Sequence, residues 1–273
     1  MLRNTHVENE TLCGLRRLPP FNETAVKLLS RPFGDEDSIG DMEASFRSDP
    51  GLTSQLLAAA NSAAFGFRSQ ISTIRHALAV LGVERIRSLV ATIATASYMH
   101  QFPAEAVRPI WSHAIATSVI AEHLCNDSDA LNGTALYTAG LTHDLGRLGL
   151  LASHRRLYHD FLSREFENRD ASDMQEWEQF GVIHTVVGGL LTQLWGFPPN
   201  LCCHSENHHS STGFDTEADH VIHDACLLAD AIGYPELRLC NSLQLDATLE
   251  WQLESVHKFC MATIEDRIEE FVA

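Results

Sequence analysis

The stretch Leu141-Thr142-His143-Asp144-Leu145-Gly146-Arg147 places a histidine and an aspartate side by side at the end of an apolar run. Ahead of them stand Ala135, Leu136, Ala139, Gly140 and Leu141, with almost nothing polar to face water. Apolar residues spaced this way predict a helix over about 133–145. A carboxylate carried into such surroundings costs several kcal/mol unless a cation or a dense set of donors compensates it. Imidazole nitrogen and carboxylate oxygen are both ligands of first-row metals, so a divalent ion would meet that demand. The dyad therefore directs attention to ligands on other helices.

Helical periodicity dominates the remaining sequence and strand alternation is nearly absent. Asp49-Pro50 opens a helix with proline at an early position, where its missing N–H does no harm. Leu52, Leu56, Leu57 and Ala60 make that helix's buried stripe, and Gly66 is expected to end it. Ser72 or Thr73 can cap the next helix, which carries Ile74, Ala77, Leu78 and Leu81 and stops at Gly82. Val83, Ile86, Val90 and Ile93 continue at helical spacing. Residues 101–105 read as a joint. Helices are then expected around 106–125, 133–145, 155–169, 181–195, 217–232 and 247–270, with a longer Ser/Thr/Gly-rich loop at 209–217. The expectation is an all-α protein: an N-terminal helical bundle over 1–102, a second helical unit over 103–240, and a C-terminal helix over 241–273 packed on the core.

Composition narrows the function. Among 273 residues, acidic side chains outnumber basic ones 36 to 19, a formal charge of -17. That excess argues against a general nucleic-acid or anionic-membrane partner, since both require a cationic face. No secretory signal and no run of roughly 20 apolar residues is found. The seven cysteines form no Cys-x-x-Cys pair, so reduced thiols and a cytoplasmic protein are expected. Fifteen histidines is a high count and turns the search toward metals.

His113 shares a helical face with Ile110, Thr117 and Ile120 and so points inward. Asp230 lies in the apolar run Leu227-Leu228-Ala229-Asp230-Ala231-Ile232. His184 opens another apolar helix, and His208-His209 closes a polar segment. Each has a plain structural reading: a hydrogen-bonded core histidine, or an exposed loop pair. Cys202-Cys203-His204 lacks the second spaced pair a zinc site needs. His220 and His223, beside Asp219 and Asp224, read as a solvated face, and His154 and His159 as surface residues.

The joint order of these elements resembles the HD superfamily of metal-dependent phosphohydrolases, with His184 and His208-His209 similar to the additional ligands of HD-GYP phosphodiesterases. The N-terminal half narrows the likeness. Leu18-Pro19-Pro20, Ser48-Asp49-Pro50-Gly51-Leu52-Thr53, Ala60-Asn61-Ser62-Ala63, Leu81-Gly82, Ile86-Arg87-Ser88-Leu89 and Trp195-Gly196-Phe197-Pro198 are similar to the HDOD family over about residues 15 to 235. The resemblance implies a bacterial regulatory signal-transduction protein with a protein partner or a small signalling ligand. It also implies the metal ligands His113, His143, Asp144, His184, His208, His209 and Asp230. On that reading Asp144 bridges two ions, with His113, His143 and Asp230 on one and the other three histidines on the second. One or two divalent ions, iron or manganese, are expected. The alternative is a metal-dependent phosphohydrolase acting on a nucleotide or cyclic nucleotide, with Asp144 and Arg147 catalytic and Arg147 gripping phosphate as a bidentate fork. The chain departs from the HD-GYP pattern at Pro109, where a bridging Glu would stand, and after the histidine pair. Gly233-Tyr234-Pro235 reads as coincidence.

Overall fold

The computed structural model describes residues 5–30, 38–62, 70–125, 131–210, 216–240 and 245–272. The expected stop at Gly66 lies outside these residues, as does most of the 209–217 loop. Helix α1 (Thr5–Leu15) is followed by α2 (Glu23–Leu29), α3 (Ser38–Ser48), α4 (Pro50–Ala60) and the long α5 (Ile74–Met99). Local side chains fix these boundaries. Asn22 accepts from the backbone of Ala25 at 2.7 Å and donates to Asp49 at 2.8 Å, while Asp49 accepts from Leu52 at 2.9 Å. One bond thus ties the starts of α2 and α4 together, each capped by an acceptor side chain. The Asn61 amide pairs with both backbone groups of Ile71, at 2.7 Å each, and closes the connection into α5. Thr73 caps α5, and Gly82, at φ 79°, breaks it where the sequence predicts one helix to stop and another to begin.

Then follow α6 (Ala104–Leu124), α7 (Gly133–Thr142), α8 (Leu145–Ser153), α9 (Arg155–Leu162), α10 (Arg169–Phe180), α11 (His184–Leu194), α12 (Pro199–Asn207) and α13 (Glu217–Ala231), with α6 as their axis. Helix α6 packs along α7 and α13, while α11 rests on α8 and α12. Helix α1 lies against α8 and α10, on the far side of the expected 102/103 boundary. Two-residue strands β1 (Glu165–Phe166) and β2 (Arg238–Leu239) pair in parallel, Glu165 opposite Arg238. At the C-terminus α14 (Ala247–Phe259) and α15 (Met261–Val272) stand where one helix is expected, separated at Cys260, and α15 packs on α6. The protein is all-α, as the sequence predicts. The expected 133–145 helix breaks at the dyad, and the 155–169 helix ends at Leu162. Helices α10 and α12 are absent from the sequence reading; both are short and largely polar, with little apolar period to reveal them.

Two of the sequence motifs meet in the folded chain. Phe21, just after Leu18-Pro19-Pro20, packs its ring 5.1 Å from Phe197 and 5.4 Å from Trp195. Tyr98 at the end of α5 lies 4.7 Å from Trp195, edge to face. Such aromatic pairs contribute about 0.5–1.5 kcal/mol each beyond their area. They couple the N-terminal bundle to the end of α11.

Two glycines allow close helix contacts. A β-carbon at Gly140 would come within 2.8 Å of the Ser118 Cα on α6. One at Gly146 would overlap the His184 carbonyl oxygen and stand 2.6 Å from Gly188 N, so α8 and α11 approach backbone to backbone. No helix among the described residues is long and apolar enough to cross a membrane.

His154, read as a surface residue, lies half-buried under α1. Its Nε2 meets the Thr11 hydroxyl at 2.7 Å, and that hydroxyl donates to the Phe180 carbonyl at 3.2 Å. The hydroxyl then accepts from the His154 Nε2–H. Burial holds the His154 pKa below its ordinary value, with Glu10 opposing weakly. A depressed folded pKa gives stability that is full above the unfolded value of about 6.5 and lost as pH falls through the folded one. The melting temperature should therefore fall less between pH 7.5 and 5.5 in His154→Gln than in the wild type. Parallel curves would remove His154 as a source of acid lability.

Candidate metal centre

The dyad sits where α7 gives way to α8. His143 keeps helical angles, whereas Asp144, at φ -105° and ψ 19°, leaves the helix and starts the next one. This break turns the two side chains into the space between α6, α11, α12 and α13. His113, His143, Asp144, His184 and His208 are all buried there. Imidazole centroids run in a chain: His113 to His143 at 5.3 Å, His143 to His208 at 4.7 Å, His208 to His209 at 4.3 Å and His209 to His184 at 4.9 Å. Asp230 joins at the His113 end, its Oδ1 3.3 Å from His113 Nδ1. All seven residues singled out in the sequence come together.

The hydrogen bonds orient the rings. His113 Nδ1 lies 2.8 Å from the Tyr234 carbonyl, His143 Nδ1 2.5 Å from that of Gly140, and His208 Nδ1 3.0 Å from that of Ser205. A carbonyl can only accept, so each Nδ1 carries a proton, and wherever the ring is neutral its Nε2 presents a lone pair. His184 Nδ1 meets Glu176 Oε2 at 2.8 Å, and the same oxygen takes the His184 backbone N–H at 2.6 Å. Backing one ring nitrogen so that the other faces inward is the arrangement found around metal-bound histidines.

Several donor atoms in this pocket are buried and have no hydrogen-bond partner: His143 Nε2, His208 Nε2, Asp144 Oδ1, Asp230 Oδ1 and Glu236 Oε2. Asp144 Oδ1 lies 3.6 Å from His184 Nε2 and 3.9 Å from His208 Nε2. Unsatisfied polar atoms of this kind cost about 1–3 kcal/mol each, more when charged. Four groups of three donors come close enough to share an ion: His113/His143/Cys226, His184/His208/His209, His113/Asp230/Glu236 and Asp173/Glu176/His184. Imidazole, carboxylate and thiol donors in this mixture suit a first-row transition ion.

Two guanidinium groups share the pocket with these carboxylates. Arg147, only 1% exposed, donates to Asp144 at 2.7 Å, Glu236 at 3.1 Å and Glu176 at 3.5 Å, and its Nη1 reaches Tyr158 at 3.3 Å. Its fork is committed to protein acceptors and turned away from solvent, which corrects the expectation of a phosphate-gripping Arg147. Arg169 donates to Asp230 at 2.5 and 3.1 Å and also to His209 Nε2. Burial opposes ionisation of Glu176 and Glu236, yet His184 and Arg147 lower the first and Arg169, His113 and Arg147 hold the second well below the usual range. Asp230 goes the other way, to about 7, because burial and Glu236 outweigh Arg169. For His113, burial would depress the pKa, but Glu236, Cys226 and Asp230 raise it to about 10. Removing a buried charge that serves several partners is severe, so Arg147→Met should cost about 3–5 kcal/mol in urea unfolding. A loss below about 1 kcal/mol would mean that the three carboxylates do not depend on it.

Sequence reasoning missed Glu176, Glu236, Arg169 and Cys226. Gly233-Tyr234-Pro235, dismissed as coincidence, delivers both the Tyr234 carbonyl and Glu236. Cys226 stands one turn before Asp230 on an apolar run, a spacing that signals a shared face. Asp219, read as part of a solvated face, pairs with His204 at 2.6 Å in buried positions, and His223 reaches the His208 carbonyl at 2.7 Å.

Comparisons with known proteins agree with this architecture. A crystal structure of an HDOD domain protein of unknown function from Geobacter sulfurreducens superimposes with a TM-score of 0.74 at 17% identity, covering 97% of each chain. A Shewanella amazonensis structure, provisionally named a metal-dependent phosphohydrolase, gives 0.59 at 16% identity over 99% of this chain and 98% of its own. At such identities the likeness is one of fold. An uncharacterized protein of Treponema pallidum (strain Nichols) is 23% identical over 176 residues, 63% of this chain and 34% of that protein, so the chain spans about a third of its curated relative. The HDOD domain family model matches residues 18–211, which takes in the Asn22–Asp49 tie, the aromatic junction and the dyad. On that match, the chain belongs to the HDOD domain family.

Proposed function

We propose that this HDOD protein is a regulatory signal-transduction module whose HD-type pocket holds one or two divalent ions, iron or manganese favoured. Its helical surfaces would then serve a protein partner or a small signalling ligand. The observation that carries the reading is the set of buried, unpartnered donor atoms gathered from the α7–α8 junction (His143, Asp144), the end of α12 (His208), α13 (Asp230) and Glu236. An ion that binds only this arrangement stabilises it, in proportion to the logarithm of its concentration over Kd. Metal occupancy would thereby control how the second unit is held and what it presents. All seven cysteines are free thiols, which suits a cytoplasmic setting. The bundle over 1–102 would supply the sensing or partner surface, the unit over 103–240 the metal, and 241–273 a packing element.

The second reading is hydrolysis of a nucleotide or cyclic-nucleotide phosphoester. Bound ions would supply an activated water and a clamp on phosphoryl oxygens. The partly open edge at Asp173, Arg169 and His209, whose side chains keep 21%, 13% and 10% exposure, favours it. Against it stand the burial of the dyad and the full engagement of Arg147. Phosphomonoesters and cyclic nucleotides should be assayed with protein purified without chelators, beside His143→Ala and Asp144→Ala. The regulatory reading expects bound metal and no turnover; turnover lost in both variants would establish the hydrolase instead.

A further inference from the structure

Four of the five rings in the pocket differ in what faces their Nε2 atoms. His184 and His209 each face a guanidinium: Arg147 Nη2 stands 3.4 Å from His184 Nε2, and Arg169 donates to His209 Nε2. His113 and His143 face none. His113 Nε2 lies 3.3 Å from the Cys226 sulfur, His143 Nε2 has no hydrogen-bond partner, and His113, His143 and Cys226 each bring a donor atom within 4.8 Å of the other two. The three side chains are fully buried.

His113 also decides where Asp230 belongs. Its Nδ1 edge is turned to the Tyr234 carbonyl, Asp230 and Glu236, opposite the Nε2 edge that meets Cys226. Asp230 Oδ2 is held by Arg169. Asp230 is therefore placed to back His113, as a carboxylate behind a ligating imidazole does, and not to share an ion with its Nε2. One turn earlier on α13, Cys226 occupies the ligand side.

We infer that Cys226 is a metal ligand here, its sulfur binding one divalent ion together with His113 Nε2 and His143 Nε2. This inference rests on the metal reading above and deepens it. A cysteine sulfur among imidazoles selects a thiophilic ion, zinc, iron(II) or cobalt(II), over manganese. Binding converts the Cys226 thiol to a thiolate and releases its proton to solvent, so no redox partner is needed. The ion would satisfy the stranded His143 Nε2.

The test uses cobalt(II) and zinc(II) as probes on the full chain after dialysis against chelator. Stoichiometric cobalt uptake should bring a sulfur-to-cobalt charge-transfer band in the near ultraviolet. Cys226→Ala should lose that band, whereas Cys203→Ala, at an exposed cysteine, should keep it. X-ray absorption at the zinc edge of the wild type needs no variant, and should show one sulfur at about 2.3 Å among nitrogens at about 2.0 Å. Stoichiometric metal with only nitrogen and oxygen neighbours overturns Cys226 as a ligand and leaves the metal site standing. Failure of the wild type to take up either ion overturns both.

Discussion

Gly146→Ala is expected to yield little folded protein, with a stability loss beyond about 4 kcal/mol in urea titration, a range reached only by severe core defects. The added methyl would have to occupy the position of the His184 carbonyl oxygen. Backbone cannot move aside as a flexible side chain does. Relief requires α8 and α11 to part, which pulls His184 from Glu176 and from Asp144. Gly188→Ala provides the contrast. Its methyl meets the Ser205 hydroxyl, a side chain that can rotate at the cost of its 2.7 Å bond to the His143 carbonyl. That variant should fold and lose about 1–3 kcal/mol. Equal, mild effects at the two positions would show that the α8–α11 contact is looser than described.

The second large effect belongs to Asp144. Asparagine keeps its shape but replaces a carboxylate oxygen with a neutral amide group beside His184 and His208. Asp144→Asn should weaken divalent-ion binding by more than about 100-fold, because loss of an outer partner alone costs 10–100-fold. Isothermal titration of the chelator-treated protein measures this, with circular dichroism confirming the fold. Unchanged affinity would place the ion away from Asp144.

How far the sequence disclosed this site depends on how each residue is carried. His113, His143, Asp144 and Asp230 lie in apolar helical runs, where a polar side chain stands out against its neighbours. Glu176 does not, because α10 is rich in acids and amides and a buried glutamate there reads as one more solvated residue. Glu236 follows a turn and obeys no period. Cys226 reads as a small core residue until Asp230, one turn on, is seen to share its face. The sequence ends the helix of the dyad near 145; what it does not show is that α8 starts at once, although Leu145, Leu148 and Leu151 continue the apolar spacing, because nothing marks the non-helical angles of Asp144. Arg147 was legible as a cation near the dyad but not as one that turns inward, since its partners Glu176 and Glu236 arrive from distant segments.

Crystals grown from protein purified without chelators would test the central claim most directly, by anomalous diffraction at the edge of whichever metal elemental analysis detects. The account predicts a peak inside the pocket, at about 2.0–2.1 Å from His143 Nε2. A pocket with no anomalous peak, its carboxylates balanced by Arg147 and Arg169 alone, would contradict it.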